Sequence, residues 1–520
     1  MRNIHRHIHF DFHTMPGITN FGEHWDAEAF AQRLADAHVD YINFFAQCNL
    51  GFAYFPTKVG IPYPGLRGDM LGDALAACHR HGIGMTAYIN IGLMHEQASR
   101  HPEWCRMDKD GAILRGDRVH NNFFRTMCYN APGYHDYVLA LIREICSYDI
   151  DGLFCDCMHF FPCHCAQCTR DMLALGIDLT DEEAVEAFSR DVMMRISREI
   201  KSIVGPDRYV YFNGMPYYAY RDLDTHIEIE CLPSGGWGYD YLWSHAAYAR
   251  SITRTLLYMT GRFQASWGDF GGYKGKISIE SDLYDGLCNN MMPSVGDHLH
   301  PAEIEERDIY RDIGEIYEKL SLYEPYTKGA CFVHDIGVLT DSDGPLGTVY
   351  AGLARMLLEL KQPFNVLHRD MDFSGCKLLI LPNEMTVDTA LAARLKAFLE
   401  GGGRLLSVGA GGLTTDRTSF ALEAYDATLL GVDTNADGYF TFTQTPADCA
   451  DMRWATYSGG IRMRAHCAKD VRAEAVSPYF PKHWDGIHGY FYTPPAQKTG
   501  DTAAAVFGNV AHISFDVFGA

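Results

Sequence analysis

No apolar run in this chain reaches the length of a membrane span. The opening stretch, Met1 to Asp11, lacks the apolar middle of a signal peptide and reads as a strand. There is no Walker phosphate loop, no dinucleotide glycine fingerprint behind the first strand, and no Gly-x-Ser-x-Gly elbow. Phosphoryl transfer, hydride transfer and serine hydrolysis therefore have no positive signal. Internal repeats and low-complexity tracts are missing too. Basic charge is scarce, with 44 Lys and Arg against 66 Asp and Glu and a formal net charge of −22. That balance argues against nucleic acid and anionic membranes as partners and favours neutral or cationic ligands. Sixteen cysteines without a signal peptide point to a reducing, cytoplasmic setting, where thiols are buried, reactive or metal-bound rather than paired.

What is present is an alternation of strand and helix signals over the first 325 residues. The strands are expected at Ile8–Phe12, Tyr41–Ala46, Gly84–Ile91, Tyr148–Asp156, Arg208–Asn213, Thr225–Cys231, Leu257–Phe263 and Met291–Gly296. Asp26 is placed to cap a helix carrying Phe30, Leu34 and Ala37 on one face. A long helix is expected from Glu182 to Val204, stopped by Gly205-Pro206. Eight strands, each followed by a helix or a long loop, predict a (β/α)8 TIM barrel over residues 1–325. A flavodoxin-like, glutamine-amidotransferase-like α/β unit follows. Its core is expected over 326–415, with strands at Ile336–Leu339, Lys377–Leu381 and Arg404–Val408 and helices at Val349–Leu360 and Thr389–Glu400. Residues 416–520 read as the remainder of that unit and the start of a segment cut short, with His512–Phe518 as a strand in need of a partner.

Polar residues at the predicted strand ends converge on one barrel face, where (β/α)8 enzymes mount their chemistry. They are Asp11 and His13, Asn49, Asn90, Asp156, Asn213, Glu230, Arg262, Asp269, Asp297 and His298. Tyr54, Tyr88, Trp237 and Trp267 add flat aromatic faces, which suit the C–H side of a sugar ring. Glycoside hydrolysis needs two carboxyl groups, one ionised and one protonated. Asp156, at the tip of the fourth strand, is the first candidate for the nucleophile. Glu230 is preferred as acid/base, with Asp269 and Asp297 as competitors. Alternation places Glu228 on the same side of its strand as Glu230, so the preference for Glu230 rests on its strand-end position.

A second constellation is Cys163-His164-Cys165-Ala166-Gln167-Cys168, with Cys128 as a fourth ligand and Cys105, Cys157, His159 and His164 as alternatives. Three or four thiolates at this spacing suit a structural zinc rather than a catalytic one. No catalytic cofactor is implied.

The stretches Ile8–His13, Ala46–Lys58, Tyr148–Asp156 and Gly235–Tyr241 together resemble bacterial glycosyl hydrolases related to the α-L-fucosidases of glycoside hydrolase families 29 and 151. Residues from about 330 to 415 resemble the trimerisation domain of family 42 β-galactosidases, and the cysteine set is similar to the zinc cluster of that family. The resemblance implies a retaining exo-glycosidase acting on an oligosaccharide, a covalent glycosyl-aspartate at Asp156, and a homo-oligomer, dimer or trimer. The fucosidases carry two adjacent histidines after the second strand. Here both are replaced, within Gln47-Cys48-Asn49-Leu50; Asn49 keeps a hydrogen-bonding amide and Leu50 does not. A β-galactosidase-like activity and a non-catalytic sugar-binding barrel are the alternatives.

Overall fold

The computed structural model describes residues 2–519 apart from 115–123, 159, 303–306, 434–437 and 488. The chain forms two compact units, Met1–Tyr239 with Ile252–Cys331, and Phe332–Ala520 with Asp240–Ser251.

The first unit is a parallel barrel. Its strands are β1 (His7–Asp11), β2 (Tyr41–Gln47), β3 (Gly84–Asn90), β4 (Gly152–Asp156), β5 (Tyr209–Phe212), β6 (Ile227–Glu230), β7 (Leu256–Gly261) and β8 (Met292–His298). They pair in the order β5-β4-β3-β2-β1-β8-β7-β6. The gap between β5 and β6 has no strand ladder among the described residues and is bridged by one backbone bond, Thr225 N to Val210 O at 3.0 Å, and by side chains. Val210 N donates to Thr225 Oγ1 at 3.0 Å, and Phe212 N to Asp224 Oδ1 at 2.9 Å. Backbone donors that would otherwise be orphaned are thereby satisfied. β4 is shorter than expected: Tyr148 and Asp149 lie in the turn before it.

Alternation along β1 shows how the barrel is filled. Phe10 turns outward and packs on Phe30 of the Asp26-capped helix Ala27–Asp36, ring centroids 5.1 Å apart. His9 turns inward, with its ring 5.1 Å from Phe154 of β4 and 5.5 Å from Trp267 beyond β7. The interior carries a polar layer. His7 pairs with Ser294 at 2.7 Å, His9 with Asn43 at 3.0 Å, and His226 with Glu228 at 2.9 Å. Buried polar groups are tolerated because they satisfy one another.

The second unit is a mixed sheet. Strands Phe364–His368, Ile336–Thr340, Leu378–Leu381, Arg404–Val408 and Val510–Ile513 run parallel in that order. Pro495–Phe507, Val471–Pro478 and Tyr439–Phe442 continue it antiparallel. Two features differ from the sequence reading. Phe364–His368 is an edge strand that its short apolar run did not announce. The strand expected at His512–Phe518 lies earlier, at Val510–Ile513, and is paired on both sides.

Candidate active site

The C-terminal ends of the barrel strands surround a cavity of about 410 Å³. Of the expected site residues, Asp11, His13, Asn49, Tyr88, Asp156, Asn213, Glu230 and Trp267 line it.

Asp156 ends β4 and accepts four side-chain hydrogen bonds from the described residues. Its Oδ1 accepts the Asn213 amide at 2.8 Å. Its Oδ2 accepts the Tyr88 hydroxyl, the Asn90 amide at 3.1 Å and the Cys157 thiol at 3.2 Å. The positions of these donors follow from the fold. Tyr88 and Asn90 alternate along β3, and Asn90 lies in register with Asp156 across the β3–β4 ladder. Tyr88 is clamped face to face on Phe45, ring centroids 3.7 Å apart, so its hydroxyl is aimed. Burial pushes the Tyr88 phenol well above its ordinary value, and it remains a donor.

Glu230 ends β6. Its Oε1 accepts the indole N–H of Trp267 at 2.8 Å. Burial, together with the negative charge of Asp156, raises its carboxyl to about 7, against the opposing hydrogen bonds from Trp267 and Asn213. Glu228, two residues earlier, also points inward but one layer deeper, against His226. The two glutamates of this strand are thus separated by depth rather than by face.

The loop after β7 carries Trp267 and is fixed from several sides. Arg262 pairs with Asp297 at 2.6 Å and donates to the carbonyls of Phe270 at 2.9 Å and Gly272 at 2.7 Å. Gly268 N donates to His298 Nε2 at 2.7 Å. Lys274 is buried against Asp282, with Thr260 between them. Gly296 makes room for the indole, because a Cβ there would stand 2.5 Å from the Trp267 ring.

These contacts correct part of the sequence reading. Arg262, Asp297 and His298 do not line the cavity; they hold the loop that carries Trp267. Asp297 also accepts the Tyr310 hydroxyl at 2.8 Å and the His298 N–H at 2.7 Å, so both of its oxygens are committed to protein donors. Asp269 caps its own loop through Ala265 N at 3.0 Å and also lies off the cavity wall. Tyr54 bridges Thr14 N and Phe12 O below the rim. Trp237 is half-buried and away from the wall, and Asn90 acts behind Asp156. Conversely, His9, Cys157, Leu50, Leu93 and Phe270 line the cavity without having been singled out as sugar contacts. For His9 a signal existed: it is two residues before Asp11, on the inward phase of β1.

At the rim, His13 Nδ1 accepts the Asn49 N–H at 3.2 Å, and its Nε2 faces Asp11 Oδ1 at 2.8 Å. Hydrogen-bonding groups and the apolar side chains Leu50, Leu93 and Phe270 thus line one cavity.

Beside the β4 exit, Cys128, Cys163, Cys165 and Cys168 are buried, with their sulfurs all within 4.8 Å of one another. The Cys128 sulfur is 3.5 Å from that of Cys165 and 3.6 Å from that of Cys168. A tetrahedral zinc with roughly 2.3 Å bonds would set its sulfurs about 3.8 Å apart, whereas a disulfide needs about 2.05 Å. The cluster is compatible with a structural metal site. Of the alternative ligands, Cys157 belongs to Asp156, and His159 lies outside the described residues.

A parallel eight-stranded barrel with two carboxyl groups on its C-terminal rim, joined to a mixed α/β sheet unit, has the architecture of a glycosyl hydrolase. Residues 26–157 match the family model described as hypothetical glycosyl hydrolase 6. The α-L-fucosidase isoenzyme 2 from Paenibacillus thiaminolyticus superposes with a TM-score of 0.90 at 30% identity, covering 100% of this chain and 81% of that one. The chain belongs to the same glycosyl hydrolase family as that protein. More distant likenesses show the shared fold. The β-galactosidase from Rahnella sp. R3 gives a TM-score of 0.72 at 15% identity, covering 98% of this chain and 86% of that one. Gan42B, a GH42 β-galactosidase, gives 0.68 at 14% identity, covering 94% and 82%. The second unit is like the trimerisation domain of that group. No curated protein matches the chain.

Proposed function

We propose that the chain is a retaining exo-glycosidase of α-L-fucosidase type, with Asp156 as nucleophile and Glu230 as acid/base. One observation carries this reading: two carboxyl groups share one cavity in opposite environments. Asp156 accepts hydrogen bonds on both oxygens from the Tyr88, Asn90, Cys157 and Asn213 side chains. Glu230 is buried and raised to about 7, so it holds a proton to give. Retaining glycosidases divide the work in this way. The barrel core closes the floor through His9, Tyr88 and Phe154, which supports attack on a terminal sugar entering from the rim. The apolar side chains Leu50, Leu93 and Phe270 among the lining residues suit the methyl group of a 6-deoxy sugar, and the family relationship to an α-L-fucosidase points the same way. Incubation with a panel of nitrophenyl glycosides is expected to give turnover of the α-L-fucoside. Proton NMR of the first-formed sugar is expected to show the α-anomer. First formation of the β-anomer, or turnover confined to another sugar, would overturn the reading.

The same reading assigns a structural zinc to Cys128, Cys163, Cys165 and Cys168. The cluster ties the exit of β4 to the segment before helix Pro132–Ile145, and so steadies Asp156. Elemental analysis is expected to give one zinc per chain. Cys168→Ser is expected to lower the melting temperature by about 5–10 °C, in line with the loss of a few kcal/mol. Metal-free protein with unchanged melting would refute the zinc.

A further inference from the structure

The four donors around Asp156 are unequally shared, and the inequality distinguishes its two oxygens. Among the described residues, Oδ2 accepts from Tyr88, Asn90 and Cys157, whereas Oδ1 accepts from the Asn213 side chain alone. An sp² oxygen with three donors has no lone pair left to direct at a sugar carbon. Oδ1 does.

Cys157 reaches this position by an unusual backbone. Its φ is +56°, a left-handed conformation rare for a residue with a side chain. Glycine at position 92 permits that path, since a Cβ there would stand 1.6 Å from the Cys157 carbonyl oxygen. The left-handed turn brings the thiol back onto the residue before it, where it donates to Asp156 Oδ2 and accepts from Asn90 Nδ2 at 3.2 Å. Burial and the neighbouring carboxylate push the thiol well above its ordinary value, so it stays S–H, a donor rather than a nucleophile.

We infer that Oδ1 of Asp156 is the attacking atom and that Cys157 is a positioning residue, whose thiol, with Tyr88 and Asn90, holds Oδ2 as the carbonyl oxygen of the glycosyl ester. This inference rests on the retaining mechanism proposed above. In the first step an Oδ1 lone pair bonds the anomeric carbon. The glycosidic bond breaks with its electron pair on the leaving oxygen, which takes the Glu230 proton. In the second step a water oxygen bonds the anomeric carbon and gives its proton to Glu230. The C–Oδ1 bond breaks, and its pair returns to the carboxylate. Negative charge thus leaves the aspartate in the first step and returns in the second. Donors on Oδ2 restrain the attack and promote the release. A retained thiol therefore acts in opposite directions on the two halves of the reaction, which a purely structural role would not do.

The test uses an activated aryl α-L-fucoside, for which release limits kcat. Cys157→Ala is expected to lower kcat roughly fivefold, as for the loss of one hydrogen bond, and to lower KM at least as far, leaving kcat/KM equal or higher. Intact-mass analysis is expected to show more steady-state adduct on Asp156 than in the wild type. Cys157→Ser, which keeps a donor, is expected to restore kcat. Should the alanine variant fail to fold, Cys157→Gly suits the left-handed backbone and must show the same split. A parallel fall of kcat and kcat/KM without adduct, or no change at all, overturns the inference. A 2-deoxy-2-fluoro fucosyl fluoride separates the two levels. Adduct on wild-type Asp156 without the Cys157 split refutes this inference alone, whereas no adduct on Asp156 refutes the retaining mechanism and this inference with it.

Discussion

Asp156→Asn will lower kcat on any nitrophenyl glycoside that the wild type turns over by roughly a thousandfold or more, the scale on which removal of a covalent nucleophile acts. The substitution is close to isosteric. The amide oxygen can take the place of Oδ2 before Tyr88, Asn90 and Cys157, leaving a single donor–donor contact with Asn213. The protein should therefore fold with nearly unchanged thermal unfolding, which separates loss of chemistry from loss of structure. A second consequence is electrostatic. The Asp156 charge is one of the causes that lift Glu230 to about 7, so Asp156→Asn should bring Glu230 back toward the ordinary carboxylate range. The pH dependence of binding of a neutral sugar lactone, measured by calorimetry, reports that shift. The truncated Asp156→Gly, which leaves room at the anomeric carbon, should regain turnover with added azide and yield the glycosyl azide of inverted configuration. Equal turnover by wild type and Asp156→Asn would remove Asp156 from the chemistry.

Asp156 could be placed from sequence because a barrel strand is a local pattern. A short apolar run closed by a carboxylate fixes where the side chain stands, and the neighbouring strands fix which end of the barrel it faces. The same logic placed Asp11, Asn213 and Glu230 on the cavity. It was unable to tell a rim residue that faces a ligand from one that faces its own loop. Arg262 and Asp297 lie 35 positions apart and meet only after β7 and β8 have paired, so no local pattern announces that each is consumed by the other. Tyr54 is similar: its hydroxyl is spoken for by the backbone beyond β1, 40 residues earlier. The polar barrel interior was hidden for another reason. His7, His9, Asn43, Glu228 and Ser294 each look misplaced alone and become affordable only as partners. In the second unit, the strand expected at His512–Phe518 lies at Val510–Ile513; one of its two partners, Arg404–Val408, is about a hundred residues away along the chain and beyond the reach of a local pattern.

Glu230→Gln will remove the basic limb of the pH profile. In the wild type the free enzyme needs Glu230 protonated, and its carboxyl titrates at about 7. The proton is present below that pH and is lost as pH rises through it, so kcat/KM should fall about tenfold per unit on the alkaline side. Glutamine cannot titrate. The variant should keep a flat profile there, at a level roughly a hundredfold to ten-thousandfold lower for glycosides with poor leaving groups. With a 2,4-dinitrophenyl leaving group, which departs unaided, the first step should survive. Release should not, for want of a base, and glycosyl-Asp156 should accumulate. The stability effect has a definite sign. A carboxyl raised in the folded state binds its proton more tightly there than in the unfolded chain. Stability therefore erodes as pH climbs from the ordinary carboxylate range toward 7. Glu230→Gln is relieved of that loss, so it should melt above the wild type at pH 7.5 and converge with it near pH 4. The Trp267 indole, donating to Glu230 Oε1, opposes the rise, so Trp267→Phe should carry the alkaline limb to higher pH. A Glu230→Gln profile that retained the alkaline limb would transfer the acid/base role to another group on the cavity wall, where Asp11 is the remaining carboxyl among the described lining residues.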